Sequence, residues 1–323
     1  MSIISKKASS SINSVRLLLV FSIVCLHSRI DQDINPGDAQ FFIKYLCNFD
    51  LNQDFICHIF HPTIPILFII SGYLFFANIN ELNLSEYKNK LKSRIKSLLV
   101  PYLFWVIISI LAGIFIHKQQ ITISYILESF TTSPGGALWY IRDLIVLAIC
   151  SPLYYLIAKK IKIGGCILLY IINQAIGSYV LFLNEYFLLG AVLAINKITI
   201  EDILKFIDYR LCLVFFVLYK VFTLYYLIEI DIPFLPVFIL IGLLGIFYNS
   251  NLSFKDSSFS TFLYFSHPYT KMIKAAIVMI IPLNSNINCT IVLITRIMLT
   301  IVLSYILYII TPKKIRSILI GGR

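Results

Sequence analysis

Charge is scarce in this chain. Asp, Glu, Lys and Arg make up 13% of its 323 residues, against about 25% in an ordinary soluble domain. That scarcity argues against a water-soluble enzyme. The seven cysteines form no CxxC pair and no metal-type spacing, so neither a structural metal nor a redox motif is expected. No internal repeat and no low-complexity tract interrupts the chain. The apolar run behind Lys6 and Lys7 ends in Cys25-Leu26-His27-Ser28-Arg29, without the small-residue site of a cleaved signal, and is expected to stay as a first helix.

What fills the chain is apolar: 59% of it is hydrophobic, with 25 Phe and 20 Tyr. Crossing a hydrocarbon core takes about 20 apolar residues per helix. The pattern predicts an all-α polytopic membrane bundle of about ten transmembrane helices, near 12–30, 59–79, 97–116, 138–158, 163–180, 182–197, 210–228, 233–249, 258–282 and 288–311. Residues 1–323 read as a single membrane domain with no room for a separate soluble one. The shortest predicted span is 182–197.

The net charge of +11 invites a nucleic-acid reading, which the distribution of the cations opposes. Most of the 27 Lys and Arg fall in segments that share one side when the N-terminus is cytoplasmic. Lys6, Lys7 and Arg16, then Lys88 to Lys96, Lys159 to Lys162, and Lys313 to Arg316 are among them. Asp31, Asp33, Asp38, Asp50 and Asp54 crowd the first loop on the other side. This bias predicts an even number of spans with both termini cytoplasmic. If the first loop is outside, Cys47 and Cys57 are candidates for a disulfide. Cys25, Cys150, Cys166 and Cys212 read as packing residues.

Ionisable side chains inside a bilayer are costly and default to functional candidates. Arg16 and His27 lie eleven residues apart on the first helix, about 16 Å of rise with only about 20° of net rotation. They are expected on one face, the cation near the cytoplasm and the imidazole in the outer half. That suits a polyanionic donor entering from the cytoplasm; the competing view is a topology-setting charge and an interfacial histidine.

The Arg-x10-His spacing resembles the first helix of the membrane acyltransferase-3 family. Other stretches resemble it in the same order: IPILFIISGYL at 64–74, KSRIKSLLVPY at 92–102, LWYIRDLIV at 138–146, FLLG at 187–190 and YFSHP at 264–268. The ordered set covers nearly the whole chain. The resemblance implies transfer of an acyl group, usually acetyl from acetyl-CoA as donor substrate with no bound cofactor. The implied acceptor is a hydroxyl of a cell-envelope glycan, either a surface polysaccharide of O-antigen or capsule type or its lipid-linked precursor, in the cell inner membrane. The family often carries a second arginine three residues after the one matched by Arg94; here it is Ser97, and Lys96 supplies charge but not a guanidinium fork. No extracytoplasmic esterase-type domain is appended.

Within that expectation His27 is a general base on the acceptor hydroxyl or a transient acyl carrier; the sequence leaves both open. Asp143 is expected near the depth of His27, either holding the imidazole tautomer or pairing locally with Arg142. Arg94 and Lys96 sit where a CoA phosphate approaches, or serve topology alone. Ser71 with Gly72 permits close helix approach. Trp139 and Tyr140 read as aromatic-belt anchors, with Trp139 also a candidate for substrate binding. His267, Lys271 and Lys274 share a face of the ninth span and are expected to line the cavity. His58, His61 and His117 read as interfacial. Expected partners are acyl-CoA, the glycan acceptor and membrane lipid. The rival reading is a transporter or flippase for a lipid-linked glycan, which repeat symmetry would favour.

Overall fold

The computed structural model describes residues 4–28, 62–79, 81–118, 120–132, 138–176, 183–226, 232–250, 254, 257–270 and 286–322. Among them the chain is all-helical. Three stretches are long and apolar enough to cross a membrane: Lys6–Leu26, Leu84–Phe115 and Ile291–Ile310. Apolar helices at Thr63–Phe76, Ile163–Ile176, Asn184–Ile195 and Leu235–Asn249 are shorter. The apolar side chains left exposed on the helices, such as Ile107, Leu111 and Phe115 or Ile167, Leu168 and Ile171, form the kind of surface that lipid covers.

Helix α1 (Lys6–Leu26) is capped by Ser5, whose hydroxyl oxygen accepts from the Ala8 amide at 3.0 Å. It starts earlier and stops sooner than the expected 12–30, and His27 is its C-cap residue. Ser11 and Ser22 are buried on it, their hydroxyls donating to the carbonyls of Lys7 and Leu18. Small residues satisfied by their own helix let neighbours approach closely.

Helix α2 (Thr63–Phe76) is buried over most of its circumference. So is the helix 184–195, which matches the shortest expected span. Helices apolar all round belong in the interior, and these two cross there. A Cβ on Gly72 would fall into the Phe187 carbonyl, and one on Gly190 into the Ile69 carbonyl. Their glycines are what allow the backbones to touch.

Between these come α3 (Leu84–Arg94), a π-helical turn at Ile95–Leu99, and α4 (Val100–His117). The expected span 97–116 is therefore the outer part of a longer rod. Helix α5 (Ile123–Thr132) follows, then α6 (Trp139–Ile149) and α7 (Ser151–Lys160). The expected single span 138–158 is broken: α6 and α7 meet at 70°. Pro152 sits in the first turn of α7, where it has no N–H for the Ala148 carbonyl and its ring crowds that position.

Helices α8 (Ile163–Ile176), α9 (Asn184–Ile195), α10 (Ile200–Phe206), α11 (Tyr209–Tyr226) and α12 (Leu235–Asn249) follow. Helix α13 (Ser257–Ser266) tightens into a 3-10 turn, His267–Thr270. Helices α14 (Asn286–Ile310) and α15 (Lys313–Leu319) end the described chain. One apolar core joins α1, α2, α6, α9, α12 and α13.

Candidate functional site

The π-helical turn borders a cavity that α1, α2, α6 and α13 also line. An added residue per turn locally re-aims side chains, and such turns recur at functional sites. Here Arg94, Ser97 and Leu98 are aimed into a cavity of about 840 Å³. Its other walls include Arg16 and Val20 of α1, Leu67, Ser71 and Phe75 of α2, Tyr140 and Leu144 of α6, Phe187 of α9, and Tyr264 of α13.

Three residues singled out in the sequence, Arg16, Ser71 and Arg94, thus share one cavity. The guanidiniums repel each other across it. Among the described residues neither pairs with a carboxylate, whereas Arg142 pairs with Asp143. Arg94 stacks over Phe75 at 5.3 Å from the ring centre, and Lys90 donates to the Phe75 carbonyl at 3.2 Å. The Ser71 hydroxyl lies 2.8 Å from that of Tyr140, which donates in turn to the Leu67 carbonyl. Both guanidiniums are half-buried, and holding two like charges there without a carboxylate partner is costly.

His27 lies away from this cavity, at the C-terminal end of α1. Its ring is half-buried and meets that of His267, centroids 5.2 Å apart and planes tilted by 39°. Tyr264 joins the two regions: it lines the cavity, and its ring is 5.9 Å from Tyr140 and 6.0 Å from His267.

Asp143 is 2% exposed, and its Oδ1 is held by Arg142 at 2.8 Å. The local pairing of the two readings is the one seen, although the carboxylate is deep rather than at the edge. Its Oδ2 has no hydrogen-bond partner among the described residues. Arg142 also donates to the Thr131 carbonyl. Trp139 stands outside the cavity, packed near Phe68, and Lys96 is exposed. The expectation that Lys96 supplies the missing second charge of the cavity does not fit this placement, because the cavity wall at this turn is Ser97. Lys271 and Lys274, with His58, His61 and the Cys47–Cys57 pair, lie outside the described residues.

Sequence reasoning passed over Tyr264 and Arg296 and treated Tyr140 as a belt residue. Tyr140 shares a stripe of α6 with Asp143, Leu144 and Leu147, all buried, so helical spacing carried that signal. Arg296 is completely buried in α14. A lone arginine within an apolar run was sufficient reason to notice it. Next to it Thr300 bonds Thr270 at 3.1 Å, and Ser304 bonds Ser266 at 2.8 Å, so a polar ladder ties α14 to the His267 turn.

Among the described residues the protein is all-helical, with two guanidiniums on one cavity and two imidazoles that meet away from it. The family model described as "Acyltransferase domain" matches residues 9–310, and the chain belongs to that family. It is also 25% identical over 167 residues to the succinoglycan biosynthesis protein ExoH of Rhizobium meliloti, covering 47% of this chain. The matched region spans 44% of that relative's length. No solved structure matches.

Proposed function

We propose that the protein is an O-acyltransferase that moves acetyl from acetyl-CoA to a sugar hydroxyl of a cell-surface polysaccharide, of O-antigen or capsule type, or of its lipid-linked precursor. In this reading the ten-span topology places both termini in the cytoplasm of a cell inner membrane. The observation that carries it is the convergence of Arg16 and Arg94 on one cavity with no carboxylate between them. Guanidiniums suit phosphate oxygens, and the cavity that holds both is otherwise lined by neutral polar and apolar side chains. Membership of the acyltransferase family and the likeness to a succinoglycan biosynthesis protein support an acyl donor and a glycan acceptor.

The phosphates of the donor bind at Arg16 and Arg94, and the pantetheine arm runs up α1 toward His27. That climb is about 16 Å for eleven helical residues. His27 takes the proton of the acceptor hydroxyl as its oxygen attacks the thioester carbonyl. Collapse breaks the C–S bond, and the proton ends on the departing thiolate. Asp143 holds Arg142 and adds negative charge near Tyr264 rather than orienting the His27 ring.

The test is transfer of radiolabelled acetyl-CoA by purified protein to polyprenyl-linked glycans extracted from the host membrane. Label in the glycan supports the reading. Donor binding without transfer to any extracted glycan, together with glycan movement across vesicles, would replace it with transport.

A further inference from the structure

His267 is fully buried and has no task in the transfer as written. Its local role is plain. Pro268 follows it and has no N–H to offer the Tyr264 carbonyl four residues back. The His267 ring supplies that donor instead, Nδ1 lying 2.7 Å from the Tyr264 oxygen. A carbonyl only accepts, so the proton of the neutral ring is on Nδ1 and the basic nitrogen is Nε2. The same ring faces His27 at 5.2 Å between centroids. His27 is the half-buried member of the two and His267 the fully buried one.

We propose, on the basis of the acyltransferase reading above, that His27 and His267 work as one proton-holding pair, with His267 acting on the reaction through His27 as a positioning residue. The acceptor O–H bond breaks and its proton passes to His27. Nε2 of His267 shares that proton while the new C–O bond forms and the C–S bond breaks. The proton then returns through His27 to the thiolate. Two neighbouring imidazoles disfavour a second positive charge beside the first.

The anchoring role and the proton role separate by substitution. His267→Asn keeps an amide N–H within reach of the Tyr264 carbonyl but has no basic nitrogen; His267→Ala has neither. In the assay with radiolabelled acetyl-CoA and extracted polyprenyl-linked glycans, both variants should lose at least about tenfold in kcat, less than the roughly 10²–10⁴-fold of a general base because His27 itself remains. Their KM for acetyl-CoA should stay within about twofold of wild type. In a His27→Ala background, adding His267→Asn should cause no further loss. His267→Asn with wild-type kcat would show that only the anchor matters and overturn the pairing, with the transferase reading intact. A wild-type protein that acylates no glycan would overturn both.

Discussion

Arg16 of α1 and Arg94 at the head of the π-helical turn face one cavity with no carboxylate between them. Each guanidinium raises the cost of the other, and the neighbouring polar groups, Ser71, Ser97 and Tyr140, are neutral. Such a pair is costly without a counter-charge, and the anionic donor proposed above would supply one.

Replacing Arg16 or Arg94 by Ala should therefore weaken acetyl-CoA binding by about 10- to 100-fold each, the worth of one charge-assisted hydrogen bond of about 1.5–3 kcal/mol. Lys96→Ala, at an exposed position beside them, should leave the affinity within about twofold. Equilibrium binding of labelled acetyl-CoA in detergent measures all three. Wild-type affinity in both arginine variants would reassign them to topology.

The glycine crossing of α2 and α9 makes a prediction about stability. Gly72→Ala and Gly190→Ala drive a methyl into backbone carbonyls that cannot rotate away, and should each cost at least about 1–3 kcal/mol of overpacking. Gly164→Ala meets only an Ile161 methyl, at 3.4 Å, and should be tolerated. Thermal unfolding of the purified variants in detergent checks the contrast. Equal melting temperatures for Gly72→Ala and Gly164→Ala would mean that the crossing relaxes freely.

Helical class and membrane character were legible because composition and long apolar runs carry them directly. The helix at 184–195 was legible too, since it is apolar on every face. Breaks were harder to read. The π-helical turn at Ile95–Leu99 has no residue that forces it. The bend at α6–α7 did have a signal in Pro152, hidden by the continuous apolar run around it. At the site, Arg16 and Arg94 stood out as cations at the ends of apolar segments. Tyr140 and Tyr264 did not, because a tyrosine in such a chain reads equally as belt, core or relay until its neighbours are known. The meeting of His27 with His267 depends on how α1 and α13 pack, which local spacing does not contain.

The charge bias predicts orientation. Single cysteines placed in the loop 29–58 of a cysteine-free variant should label from outside intact cells, and a cysteine near residue 320 should label only after lysis. External labelling near residue 320 would rule out an even number of spans.

The remaining prediction concerns how His27 acts. His27→Ala should abolish glycan acetylation, with a loss of at least about a hundredfold, while acetyl-CoA binding and membrane insertion persist. The ring lies at the C-terminal end of α1, away from the cavity of Arg16 and Arg94, so the two readouts are separable. Asp143→Asn should lower the rate only modestly, because the carboxylate holds Arg142 rather than the His27 ring. The chemical role is then decided without the acceptor. Mixed with radiolabelled acetyl-CoA alone, a protein whose His27 is a general base stays unlabelled, since no bond to the ring forms. An acyl carrier would instead trap acetyl on His27, stable enough to follow by rapid quenching and absent in His27→Ala. The half-buried ring beside a second imidazole favours holding a proton over holding an acetyl group, so unlabelled protein is the expected result. Label that disappears in His27→Ala would establish the covalent route and replace the base mechanism, with the donor site unchanged.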